Sequence, residues 1–245
     1  MLDLHDRLAR GIRAYFKKFG FEKAVIGLSG GVDSALSLRL AVDALGNKDV
    51  MAVLMPEKGI TNVKNVEDAE NFCHLLRVEY KVVPINPYID CLKNLPWKRS
   101  NIAMMNIKAR ARANILYDYA NSHHALVIGT SNKSEILLGY GTKHGDIAAD
   151  LFVIGDLYKT EVVNLSKFLG LPEYIVRKKP TAELYKGQTD EKELGASYAV
   201  LDDILMNIGN IRYLRKKYNK ELISSVLKRI SMSEHKRRAP MVILV

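Results

Sequence analysis

The sequence predicts an α/β protein: a doubly wound parallel sheet flanked by helices, with a helical C-terminal part. Three observations carry this expectation. Short apolar runs alternate with stretches whose apolar residues recur every 3.6 positions. A loop of serine and glycine follows the first apolar run. Strand-like runs then vanish beyond about residue 180. Parallel strands covered on both faces read as unbroken apolar runs, and right-handed crossovers put helices on both sides of the sheet.

Each element follows from local pattern. Leu4, Leu8, Ile12, Tyr15, Phe16 and Phe19 keep a helical period, so residues 2–19 form an amphipathic helix ending near Gly20. Residues 24–28 form a strand and Ser29 to Val32 a loop. Residues 33–45 form a mostly apolar helix stopped by Gly46. A second strand is expected over 50–55. A helix over 61–76 repeats Val63, Val66, Ala69, Phe72 and Cys73. A third strand over 80–85 is closed by Pro84 and Pro87. Residues 101–122 form a long helix carrying Lys108, Arg110 and Arg112. The fourth strand covers 125–129, and a helix over 158–169 ends at Gly170 and Pro172. All four strands are read as fully apolar. The chain, 1–245, is read as one domain: an N-terminal helix over 1–20, an α/β core over 21–180 and a helical part over 181–245. Ligands of such sheets lie beyond the carboxyl ends of the strands. The loops after Leu28, Met55, Ile85 and Gly129 are therefore where chemistry is expected.

Composition excludes several classes. Of 245 residues, 48% are hydrophobic and 26% charged, which is neither disordered nor collagen-like. A chain this long can bury one large core. Residues 119–132, the longest stretch free of Asp, Glu, Lys and Arg, are too short and too polar to span a membrane. The start, Met-Leu-Asp-Leu-His-Asp, has no basic-then-apolar leader. Two cysteines, Cys73 and Cys91, are too few for a disulfide framework. Both are read as inert packing thiols, Cys73 lying in step with Val66, Ala69 and Leu76. A cytoplasmic protein is expected. The net charge of +10 is uneven: residues 211–245 hold ten Lys/Arg against two Glu. Such a tail suits a polyanion, whether nucleic acid, membrane surface or small molecule, and equally a solvated helix face. Trp97 and the tyrosines are read as packing residues, and the adjacent His123 and His124 cannot jointly bind one metal from a regular element.

The most informative segment is Gly27-Leu28-Ser29-Gly30-Gly31-Val32-Asp33-Ser34. Gly30 and Gly31 let backbone N–H groups converge, and the hydroxyls of Ser29 and Ser34 add donors. The next helix contributes unpaired N–H groups and the positive end of its dipole. This is a receptacle for phosphate or pyrophosphate. Asp33 repels a bare phosphate and is better suited to Mg²⁺ bridging carboxylate and phosphate. No Walker lysine is present, nor GxGxxG spacing. Gly27-x-Ser29-x-Gly31 also fits a nucleophile elbow, but one placed after the first strand lacks an earlier loop to supply oxyanion donors. A purely structural glycine turn fits as well.

These residues resemble the SGGxDS loop of the ATP pyrophosphatase (PP-loop) superfamily. Further segments narrow the resemblance: Lys108-Ala109-Arg110-x-Arg112, Gly129-Thr130-Ser131-Asn132-Lys133-Ser134-Glu135, and Gly139-Tyr140-Gly141-Thr142-Lys143-His144-Gly145-Asp146. Asp150, Tyr158-Lys159-Thr160-Glu161, Lys179-Pro180-Thr181-Ala182-Glu183-Leu184 and His235-Lys236-Arg237-Arg238 follow. In this order they resemble the ammonia-dependent NAD synthetases over nearly the whole chain. Only about 20 residues precede the first strand, which leaves no room for the amidase domain of the glutamine-dependent type.

The resemblance implies an adenine nucleotide alpha hydrolase-like fold and a two-step ligation. Deamido-NAD is adenylated by ATP with release of pyrophosphate, and ammonia then displaces AMP to give NAD. It implies that Gly27, Leu28, Ser29, Gly30, Gly31, Val32, Asp33 and Ser34 cradle ATP together with Thr130, Lys159 and Thr181. It implies Mg²⁺ on Asp33 and Glu135, and deamido-NAD on Arg110, Lys143, Asp150, His235 and Lys236. Asp33, Lys159 and Asp150 are the catalytic candidates, Asp150 for the ammonia step. It also implies a homodimer with deamido-NAD at the interface, and no nucleic-acid or membrane partner. The segment 185–192, between two ligand regions, is a candidate for closing over the site. Seen singly, Glu135 could merely cap its helix, and the charged residues could be surface groups. Two rivals remain: a tRNA-modifying PP-loop ligase, and a nucleotide-binding regulator without catalysis.

Overall fold

The computed structural model describes residues 1–92, 94–181, 183–185 and 187–243. Ala182 and Lys186, which fall in two of the stretches singled out above, lie outside the described residues. The chain opens with α1 (Leu2–Phe19), which buries Ala9, Ile12 and Phe16 and ends at a left-handed Gly20. Next come β1 (Lys23–Gly27), α2 (Val32–Leu45), β2 (Val50–Leu54), α3 (Val63–Leu76) and β3 (Glu79–Val82). Asn62 sets the start of α3, its side chain accepting from Lys64 N. A short α4 (Asn86–Asp90) precedes the long α5 (Asn101–His123), capped by Ser100. Then follow β4 (Ala125–Gly129), α6 (Lys133–Leu138), β5 (Leu151–Phe152), α7 (Lys159–Phe168) and α8 (Glu173–Val176). The C-terminal part holds α9 (Asp190–Leu194), α10 (Tyr198–Met206), α11 (Ile211–Lys217), α12 (Lys220–Met232) and a 3₁₀ turn at Glu234–Lys236.

All strand pairings are parallel, in the order β3-β2-β1-β4-β5. The sheet grows one way from β1 through β2 to β3 and the other way through β4 to β5. The switch point lies between β1 and β4, where Val25 is in register with Val127. Alternate strand residues feed two cores. Ala24, Ile26, Ala52, Leu54 and Ile128 pack with Phe16, Leu36, Phe72 and Leu165. Val25, Met51, Val53 and Val127 pack against Ala111, Ile115 and Leu116 of α5. That is the period-two division of a sheet covered on both faces. A third core joins Leu138 to Tyr198, Leu201, Ile204, Leu214 and Val226. It fastens the C-terminal helices to α6.

Several expectations need correction. The third strand is not a buried apolar run: β3 is an edge strand of sequence Glu-Tyr-Lys-Val with no buried residue. An edge strand has one strand neighbour instead of two, and charge there discourages pairing with other chains. Neither β5 nor α6 announces itself by periodicity, since two and six residues give no readable repeat. Cys73 is buried, with burial and nearby Glu70 pushing its thiol up to about 12, but Cys91 is exposed. Trp97 is 61% exposed and so packs in no core of this chain.

Candidate active site

A cavity of about 440 Å³ opens at the switch point. The residues after β1, β2 and β4 line it, whereas Ile85, after β3, does not. Its inner wall is apolar: Leu28, Leu54, Met55, Ala113 and Leu116. The loop after β1 is held by its own hydroxyls. Ser29 N donates to Ser34 Oγ at 3.2 Å, Gly31 N donates to Ser29 Oγ at 3.3 Å, and Ser34 Oγ donates to Gly31 O at 3.0 Å. Gly30 has φ +77°, and a Cβ there would lie 2.5 Å from Asn65 O. Only glycine satisfies both conditions. Lys178 Nζ, bound to the buried Asp68 at 2.8 Å, donates to Gly30 O at 2.9 Å.

At the start of α2, Asp33 faces two partners from other elements. Its Oδ1 accepts from Asn132 Nδ2 at 2.8 Å, and its Oδ2 pairs closely with Lys159 Nζ. Glu135 stands beside them, its Oε1 4.0 Å from Lys159 Nζ. Its Oε2 accepts from Asn132 N at 3.2 Å, while Asn132 Oδ1 accepts from Glu135 N at 3.0 Å. Glu135 thus caps α6 with one oxygen and turns the other to the site. Burial and the charge of Asp33 push the Glu135 carboxyl well above the usual range. Burial works against the Lys159 ammonium, but Asp33 and Glu135 outweigh it and hold its pKa above the ordinary lysine value. Lys159 is also the first residue of α7, a poor place for a cation because the helix dipole is positive there. Two carboxylates from the first turns of separate helices around one cation are a donor set suited to a hard divalent ion, with phosphate oxygens and water completing it. Among the described residues no group of three His, Cys, Asp or Glu could hold a metal alone.

Thr130, Thr181 and Lys159 all line the same cavity. The structure therefore brings together the residues assigned to ATP, except that Gly30 does not itself line the cavity. Of those assigned to deamido-NAD, only Lys236 lines it. Lys236 Nζ donates to Gly139 O and Gly141 O, both at 2.8 Å, and burial lowers its pKa against the pull of Asp146. Arg110, Lys143 and His235 form an exposed chain: Arg110 Nε donates to Lys143 O at 3.3 Å, and Lys143 Nζ to His235 O at 2.9 Å. Gly139 closes α6, and a Cβ on it would lie 2.0 Å from Ser233 Cβ. Asp150 is elsewhere. Its carboxylate accepts from Val127 N at 2.8 Å and borders a second cavity of about 230 Å³ with Tyr117, Asn121 and His124.

Sequence reading passed over several polar groups of the first cavity. Asp190 lines it and is held by Tyr140 Oη at 3.0 Å; burial raises its pKa although Lys159 opposes this. Asn132 lies in the segment Gly129 to Glu135, and Lys178 immediately precedes the segment Lys179 to Leu184. Of the segment 185–192, Gln188 Oε1 accepts from Leu184 N at 2.8 Å, and Tyr185 Oη donates to Glu193 at 2.6 Å. Lys108 Nζ ties Leu184 O to Glu57, at 2.9 and 2.7 Å.

A phosphate-shaped loop at the switch point of a parallel sheet, facing a carboxylate pair and a buried lysine, defines a nucleotide-using α/β protein. The chain belongs to the NAD synthase family, whose model matches residues 4–240. An NH3-dependent NAD(+) synthetase from Fusobacterium nucleatum is 41% identical over 98% of this chain and 95% of its own. The solved NMN synthetase from Francisella tularensis is 31% identical with a TM-score of 0.90, covering 98% of this chain and 97% of its own. The NH3-dependent NAD synthetase from Campylobacter jejuni is 34% identical with a TM-score of 0.86, covering 99% and 98%. The fold is that expected: an adenine nucleotide alpha hydrolase-like α/β arrangement.

Proposed function

We propose that this NAD synthase family member is a carbon–nitrogen ligase that amidates deamido-NAD with ammonia. ATP becomes AMP and pyrophosphate. A carboxylate is a poor acyl donor, so it must first gain a leaving group. A carboxylate oxygen of the nicotinate attacks the α-phosphorus of ATP, and the bond to pyrophosphate breaks. Ammonia then attacks the carbonyl carbon of the NAD-adenylate, nitrogen loses a proton, and AMP leaves. The observation that carries this reading is the convergence of Asp33, Glu135 and Lys159 beside the Ser29–Ser34 loop.

In this reading residues 27–34 hold the phosphates, with Thr130 and Thr181 on the nucleotide. The apolar wall of Leu54, Met55 and Leu116 suits an adenine ring. Two anions must meet, so positive charge must be supplied. Lys159 does this, its ammonium held charged by Asp33 and Glu135. Mg²⁺ on Asp33 and Glu135 would neutralise phosphate charge and polarise the α-phosphoryl group. Arg110, Lys143, His235 and Lys236 take the anionic dinucleotide, and Asp150, at the second cavity, contacts it apart from the centre where ammonia attacks. The exposed basic chain suits a homodimer in which deamido-NAD lies between subunits. The whole chain acts as one domain, in the cytoplasm, with small-molecule partners only. Among the described residues no helix is long and apolar enough to cross a membrane.

The test is to incubate the protein with ATP, Mg²⁺, ammonium and deamido-NAD and to measure NAD, AMP and pyrophosphate. Equimolar amounts of the three are expected. ADP with phosphate would refute the chemistry. The likeness to the Francisella NMN synthetase favours one second reading, the same chemistry on nicotinate mononucleotide. The ratio of kcat/KM for the two acceptors decides between them. A tRNA-modifying role is not favoured.

A further inference from the structure

The C-terminal helices hold a buried carboxylate to which the chemistry above gives no part. Asp202 on α10 is 1% exposed. A buried carboxylate is costly unless both oxygens are satisfied, so its partners indicate what it is for. Oδ1 accepts from Ser134 Oγ at 2.5 Å, and Oδ2 accepts from Thr160 N at 2.8 Å. Ser134 Oγ in turn accepts from Lys159 N at 2.9 Å. One carboxylate therefore binds the first turn of α6, beside Glu135, to the first turn of α7, at Lys159.

We propose that Asp202 is a positioning residue for Lys159, and that α10 aims this lysine into the adenylation site. The proposal rests on the ligase reading. Two further facts support it. α7 begins with a lysine, against the helix dipole, and the Asp202 carboxylate on Thr160 N adds to Glu161 on Tyr158 N in offsetting that conflict. One turn before Asp202, on the same face of α10, Tyr198 places its ring 5.3 Å from Lys159 Nζ. The same helix thus holds the backbone of Lys159 and covers its ammonium. The spacing between Lys159 and Glu135 is fixed from behind by a part of the chain that lies outside the parallel sheet.

The test uses Asp202→Asn, Ser134→Ala and the double variant of the full chain, with ATP and deamido-NAD varied in turn. Asparagine keeps the shape and the acceptor for Thr160 N but loses the charge and the acceptor for Ser134. The expected result is a kcat lower by roughly 10- to 100-fold in Asp202→Asn, as for other residues that orient a reacting group. KM for deamido-NAD should stay within about two-fold. The double variant should lose no more than the worse single, because both substitutions cut one network. A variant with unchanged kcat and only a lower Tm overturns the proposal. If Asp202→Asn does not fold, Ser134→Ala gives the same measurement, and failure of both to fold also overturns it. A parent protein that releases no AMP overturns the ligase reading and this proposal together. An active parent with an unaltered Asp202→Asn overturns this proposal alone.

Discussion

The centre at Asp33, Glu135 and Lys159 and the strip at Arg110, Lys143 and His235 are both charged, but they are built differently. In the first, side chains bind side chains, in a part-buried to buried setting, from α2, α6 and α7. In the second, exposed side chains lean on backbone carbonyls. A group held by buried partners has little freedom left to lose, which is what a reacting site requires. A cation whose only anchor is a carbonyl can exchange it for a phosphate at little cost. On the proposed function, the contrast separates a region for chemistry from one for capture. Lys236 joins them: it belongs to the basic tail by sequence and to the first cavity by position.

Three substitutions sharpen or break this division. Lys159→Met keeps the stem and removes the charge, so kcat should fall by roughly 100- to 1,000-fold while both KM values change little. Rapid-quench measurement of AMP would show it, and a shift in KM alone would move Lys159 from chemistry to capture. Lys236→Ala should act oppositely, raising KM for deamido-NAD by roughly tenfold more than KM for ATP. Equal effects on the two substrates would erase the distinction. The smallest effect is thermodynamic. The Glu135 carboxyl is raised in the folded protein by burial and by Asp33, so the folded state binds its proton more tightly than the unfolded chain does. Stability then falls as pH rises above the ordinary glutamate value of 4.5. In metal-free buffer, Glu135→Gln should therefore melt higher than the parent at pH 8, with the difference closing toward pH 4.5. A lower Tm at pH 8 would mean that the carboxylate stabilises the empty site.

Legibility in the sequence followed the range of the interactions. The loop from Ser29 to Ser34 could be read because its bonds run between residues at most five apart. The apolar runs of β2 and β4, and of β1 after its exposed Lys23, could be read because burial on both faces leaves no polar residue to break the run. The pairing of Asp33 with Lys159 spans 126 positions, and nothing local marks it; the family resemblance supplied those residues. Asp202 was invisible for the same reason, its partners lying 42 and 68 positions away. The edge strand β3 was misjudged because a period-two pattern does not say which strand lies outermost.

The seam at Gly139 has a consequence for how the two halves could part. Ser233 sits where any side chain at 139 would have to go, and the next turn delivers Lys236 to the carbonyls of 139 and 141. A single added methyl would act as a wedge under the last helical turn, lifting Lys236 off those carbonyls while the loop from Ser29 to Ser34 stayed whole.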